Sequence, residues 1–260
     1  MTTEHTSGTS DPARSLALLW RGGERAGRRG KHDLSVDRVV RAAIELADTE
    51  GVAALSMRKV AERLGVGTMS LYTYVPGKSE LVDVMVDTVH GELGRHHEAP
   101  GGWRARLELI ARDNWALCHR HPWLLQVLTS RPPLGPNISL DYEYQLRAID
   151  GIGLSDLEMD SVTTLVTGYV HGAARGSVDA ARDQRDSGLT DEQWWDTQAP
   201  FLRKVMEPGR FPVSSRVGAA AGEAYNAASD PDQAFEFGLA RVLDGLQVFI
   251  DRKADAAPER

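Results

Sequence analysis

A single cysteine, Cys118, in 260 residues leaves no partner for an internal disulfide and no second thiol for a zinc site, so its expected role is core packing. Long apolar runs are also missing. Leu16 to Trp20 is five apolar residues, far short of the roughly 20 that span a bilayer, and a secretion signal's longer apolar region and cleavage site are absent. The expected location is the cytoplasm, with no membrane partner. Strand-type alternation does not occur, and there is no nucleophile elbow, phosphate loop or paired metal motif. Gly151-Ile152-Gly153 lacks the third glycine and preceding strand of a dinucleotide fingerprint. His119 and His121 stand two apart, on different faces of a helix, and His96-His97 falls in a loop, so no metal is expected. No cofactor is expected either.

What is present reads as an all-α protein. With 42% hydrophobic and 26% charged residues the chain can bury a sizeable core. Its net charge of -7 is unevenly placed, because residues 1 to 95 hold equal numbers of basic and acidic residues and the whole excess lies beyond them. Nucleic acid would therefore meet the N-terminal part.

Within that part, residues 52 to 78 (VAALSMRKVAERLGVGTMSLYTYVPGK) are two short helical patterns meeting at a glycine-bounded turn. Ser56 can cap the first, leaving Met57, Val60, Ala61 and Leu64 on one apolar stripe, and Gly65 ends it. The second, Thr68 to Tyr74, has Leu71 as its one obvious core residue and is otherwise polar around most of its circumference. An ordinary packed helix has little reason for that, whereas hydroxyls and phenols can reach base edges and phosphates. Arg58, Lys59, Arg63 and Lys78 against Glu62 supply the positive charge that phosphate binding needs.

Leu34 to about Leu93 resembles the DNA-binding domain of the TetR family of transcriptional regulators: an entry helix Val36 to Glu50 ending at Gly51, then LSMRKVAERLGV, then the recognition segment with LYTYV, then Lys78 opening a fourth helix. Phe235 to Ile250 resembles, more weakly, the last helix of TetR-type ligand-binding domains. The resemblance implies a three-helix head at residues 32–93, joined by its fourth helix to a larger helical effector-binding and dimerisation domain at 103–252. It places Arg58, Thr68, Met69, Ser70 and Thr73 at base-contacting or groove-facing positions and Tyr72, Tyr74 and Lys78 at phosphate positions. It also implies double-stranded DNA with a palindromic operator, a homodimer, a small-molecule effector of unknown identity, and repression as the common mode.

Residues 1–31 read as a polar, unstructured tail running into a basic arm, in which Arg25, Arg28 and Arg29 are candidates for a narrow minor groove. Ser35 caps the entry helix. Pro100-Gly101-Gly102 marks a boundary, after which helices are expected over Trp103–His119, Pro122–Ser130, Ser139–Asp150, Ser155–Asp183, Asp191–Met206 and Pro231–Arg252. RPPLGPN at 131–137 and residues 207–217 and 226–230 read as loops. Gly168, Gly172 and Gly176 in one long helix let another backbone come close, and Phe235 to Phe249 form a broad apolar face, which suits a dimer bundle. Trp115, His119, Trp123, Tyr142, Tyr144, Tyr169, His171, Trp194 and Trp195 could line an apolar effector pocket with a few polar handles. Two rival classes are a helical enzyme using His171 with Asp179 or Asp183, which no spacing supports, and an architectural DNA-binding protein, which would need no second domain of this size.

Overall fold

The computed structural model describes residues 12–20, 34–94, 96–127, 131–206 and 209–256. Among them are twelve α-helices and no strand. Their boundaries follow local chemistry. Helix α2 (Val36–Glu50) starts at Ser35, whose hydroxyl accepts from the Arg38 amide, and stops at Gly51, held at φ 81°. Helix α3 (Met57–Leu64) starts at Ser56, which accepts from the Lys59 amide, and stops at Gly65 at φ 70°. Val66 N–H then reaches back to the Ala61 carbonyl and Gly65 N–H to that of Glu62, closing a Schellman turn. Helix α4 (Thr68–Leu71) is a single turn, shorter than the expected Thr68–Tyr74, because the Tyr74 and Val75 amides both fold back onto the Leu71 carbonyl. Helix α5 (Lys78–His90) completes the head.

The body comprises α6 (Gly102–Arg120), α7 (Leu124–Val127), α8 (Pro136–Ile149), α9 (Asp156–Ser187), α10 (Asp191–Val205), α11 (Pro212–Tyr225) and α12 (Pro231–Ala256). Its core is built by α6, α8, α9 and α12, through Leu107, Ile149, Val166, Leu239 and Leu243. Several expectations change. Residues 12–19, assigned to the unstructured tail and arm, form helix α1 (Pro12–Leu19), because Leu19 buries against the head core and the Trp20 indole donates to the Leu134 carbonyl at 2.7 Å. Pro136 opens α8 instead of ending a loop, since proline at the first turn gives up an amide that would have no partner anyway. Residues 212–217, expected as loop, begin α11, which buries none of its residues and so shows no core periodicity.

The head core is not built by the head alone. Leu117, Trp123 and Leu124 of the body pack into the same cluster as Val39, Val60 and Leu71 of the head. A second joint lies at Asp87 on α5, whose buried carboxylate accepts from the Asn137 and Ile138 amides at 3.0 and 3.1 Å and so caps α8. Gly135 makes this approach feasible: a Cβ there would stand 2.1 Å from Asp87 Oδ1. Gly135→Ala is therefore expected to displace the cap and lower stability by about 1–3 kcal/mol. An unchanged thermal melting midpoint would show that Asp87 can move at no cost.

Candidate DNA interface and effector site

Leu71 and Val75 are fully buried and anchor the recognition turn in the head core. This leaves Met69, Ser70, Tyr72 and Thr73 exposed on its outer side, with Thr68 half-buried at the first position. Met69 is 79% exposed, a large apolar side chain in the middle of a polar face. No fold requirement puts it there, whereas a thymine methyl is an apolar target in the major groove. Arg58 is exposed on α3, its Nε 3.4 Å from Glu62 Oε1, and so open an ion pair is easily exchanged for another acceptor. Lys59 and Arg63, counted with it as phosphate-binding charge, instead pair with Glu50 at 2.7 Å and Glu45 at 3.3 Å and tie α3 to α2. Tyr74 is half-buried with its ring against the head core, so packing sets its position. Lys78 opens α5, half-buried, at the edge of the same face. Arg25, Arg28 and Arg29 lie outside the described residues.

The residues expected around an effector separate into groups. Trp115 stacks on Phe235 with ring centroids 4.0 Å apart and lies 4.5 Å from the His119 ring, while the Tyr169 hydroxyl donates to the Phe235 carbonyl at 2.8 Å. These three are thus gathered about α12. Ser177 Oγ stands 2.9 Å from Nε2 of the exposed His119, and Nδ1 donates to the Trp115 carbonyl, so His119 closes an α6–α9 contact. Trp123 lies apart from them, 1% exposed within the head core. Tyr142 and Trp194 are exposed, the first donating to Asp160 at 2.9 Å. Each had been grouped by residue type; helix phase sends them to different surfaces. Cys118 is buried as expected, and burial pushes its thiol up to about 12.

His171 belongs to a polar interior that its aromatic company did not reveal. Burial, then the neighbouring His90 and Arg175 charges, pushes its imidazole down to about 4. Asp141 is raised by burial and by nearby Asp113, against the lowering effect of His90 and of its bond from Gln145. Gln145 donates to Asp141 Oδ2 at 2.9 Å and accepts from the Thr167 hydroxyl at 3.2 Å. Four helices, α5, α6, α8 and α9, thereby turn ionisable groups toward one interior region. A sequence signal existed: Asp141 and Gln145 share one helical stripe with the buried Ala148 and Ile149, at i, i+4, i+7 and i+8.

The depressed His171 has a consequence for stability. The unfolded chain takes up its proton near pH 6.5, the folded chain only near 4, so stability falls as pH drops through that interval and levels off below it. Replacing it, His171→Gln, should flatten denaturant midpoints between pH 6.5 and 4. A midpoint shift as steep as that of the unmodified chain would mean that another group controls this range.

A cavity of about 670 Å³ opens between α10 and α11, lined by Trp195, Arg203, Met206, Ser215, Gly218 and Gly222 among others. Of the residues expected around an effector, Trp195 lines it and the other eight do not. No described helix is long and apolar enough to cross a membrane.

A reading turn exposed beyond a buried anchor, carried on a helical body with a polar interior, defines a helix-turn-helix regulator of transcription. The chain matches the model of bacterial regulatory proteins of the tetR family over residues 39–85 and that of the tetracyclin repressor-like C-terminal domain over residues 97–250. It belongs to the TetR family and is a sequence-specific DNA-binding transcriptional regulator. It is 47% identical to the HTH-type transcriptional repressor DrrR1 of Streptomyces coeruleorubidus, over 97% of this chain and 92% of that one. It is 29% identical to the class A tetracycline repressor protein from transposon 1721 of Escherichia coli, over 82% and 90%. The crystal structure of the Streptomyces coelicolor TetR family protein ActR in complex with actinorhodin superposes with a TM-score of 0.69 at 28% identity, covering 82% of this chain and 95% of that one.

Proposed function

We propose that this chain is a repressor that holds a palindromic operator as a homodimer and releases it when a small molecule enters the body. The observation that carries the reading is the exposed face of α4, with Met69 at its centre. One such turn is about 6 Å long and reads too few bases by itself, so a second copy is needed. Material for pairing is present on α9 and α12. Gly168, Gly172 and Gly176 recur every four residues on α9, all exposed, and Phe237, Val248 and Phe249 of α12 are exposed large apolar residues. Leu165 of α9 and Phe249 of α12 border one shallow depression, so the two apolar surfaces adjoin.

Support for release comes from two sides. ActR has been crystallised both free and with actinorhodin. In this chain the region around the buried Gln145 and the half-buried Asp141, Thr167 and His171 offers polar partners that a ligand would use. The body on this reading binds and does not catalyse. DrrR1, named a repressor, favours repression over activation.

Selection from random duplex DNA should recover a palindrome with half-site centres one helical turn, about 34–36 Å, or a multiple apart. Actinorhodin, as the first probe, should dissociate the retained complex, and direct repeats or single half-sites among the selected sequences would refute the reading. For the dimer the telling variant is Gly172→Tyr. A Cβ at Gly172 meets nothing within 4 Å in the single chain, so the variant should fold yet sediment as a monomer. Unchanged dimer mass would place the interface elsewhere.

A further inference from the structure

Asp48 lies in the last turn of α2, on the head, and its Oδ1 is the meeting point of two ring donors from the body. His121 Nδ1 stands 2.8 Å away and Trp123 Nε1 2.7 Å away. The carboxylate only accepts, so both nitrogens donate to it. On the other side of the imidazole, Nε2 faces Glu92 Oε1 at 3.3 Å, just beyond α5, and Arg120 pairs with the same carboxylate at 2.5 Å. His121 and Trp123 are 4% and 1% exposed.

We propose that Asp48 and His121 are positioning residues that fix the angle at which each DNA-binding head meets its body, and hence the spacing of the two recognition turns. Most of the head–body joint is apolar, and apolar contact is non-directional. Two charge-assisted bonds converging on one oxygen from buried rings are directional, and they tie the end of α2 to the end of α6. The same α6 carries Asn114 and Trp115, seven and six residues before His121, on the body's buried side. A shift of α6 by a ligand would therefore reach Asp48 through a helix of less than two further turns. His121 also caps α6, its amide bonded to the Leu117 carbonyl, so the helix end fixes the backbone from which the ring projects.

The inference rests on the proposed homodimer and palindrome, since spacing matters only when two half-sites are engaged at once. Nonspecific binding uses phosphates alone and has no such demand. The experiment compares affinity for the selected palindrome with affinity for a random-sequence duplex in Asp48→Ala, His121→Phe and His121→Asn. Loss of a charged hydrogen bond predicts that the first two weaken the palindrome about tenfold or more while random DNA stays within about twofold. In His121→Asn the amide nitrogen can take the place of Nδ1, so operator binding should stay within about threefold of the unmodified chain.

Equal weakening on both DNAs, or no weakening on either, overturns the proposal. So does failure of His121→Asn to outperform His121→Phe, a comparison that decides alone should Asp48→Ala not fold. If the unmodified chain selects no palindrome, the proposed function fails, and the positioning role is still tested without DNA. Spin labels at Ala53→Cys in the head and Asp150→Cys in the body, with Cys118→Ser, report the head–body distance in labelled chain diluted into unlabelled chain. The distribution should be narrow in the parent, broader with His121→Phe and narrow again with His121→Asn; no broadening sinks the role.

Discussion

Arg58→Ala should weaken operator binding by about 1–3 kcal/mol, roughly five- to more than a hundredfold, and relax the base preference at one position of each half-site. Arg58 is the side chain of the α3–α4 face best placed to bond guanine in bidentate fashion, since Lys59 and Arg63 pair with α2 and the exposed groups of the recognition turn are hydroxyls and a thioether. Its partner Glu62, 3.4 Å away and exposed, makes the effect larger. Without the guanidinium this carboxylate would face the DNA uncompensated, adding repulsion to the lost contact. Lys78→Ala is the control, expected to weaken all sequences alike and to reduce the salt slope by about one. Selection on random DNA with the Arg58 variant decides the matter: an unchanged preference removes Arg58 from the reading set.

Trp123→Ala should destabilise the protein by about 3–5 kcal/mol, the largest effect expected of any single substitution considered. The indole is 1% exposed and fills the region where Leu117 and Leu124 of the body meet the head core. Truncation leaves a void there and takes from Asp48 one of its two donors. Trp123→Phe keeps much of the volume and loses only the Nε1 donor, so about 1–3 kcal/mol is expected for it. Denaturant titration should show one cooperative transition in the parent chain. A loss under about 1 kcal/mol for Trp123→Ala, or two separate transitions in the parent, would mean that head and body are stabilised independently.

The head was readable from its residues because each signal there is local. Ser35, Ser56, Gly51 and Gly65 act on amides and carbonyls within five positions, and the stripe Met57, Val60, Ala61 within a turn or two. The length of the recognition helix was not readable, since its end depends on Val75 sinking into a core made by other helices. Helix α11 escaped notice for the opposite reason: with no buried residue it has no apolar phase to display. Trp123, Tyr142 and Trp194 looked alike as aromatic pocket candidates, yet one completes the head core and two lie at the surface.

By itself, then, the sequence determined the helical class, the helix-turn-helix, the polar recognition turn anchored by Leu71 and the glycine-laced long helix, because all of these are written in spacings of eight residues or fewer. Tertiary structure alone decided three things: that Leu117, Trp123 and Leu124 of the body complete the head core, that polar groups from α5, α6, α8 and α9 converge in the body, and that Asp48 meets His121 across 73 positions of chain. A contact between distant residues follows from how helices cross, and no local propensity or periodicity carries that information.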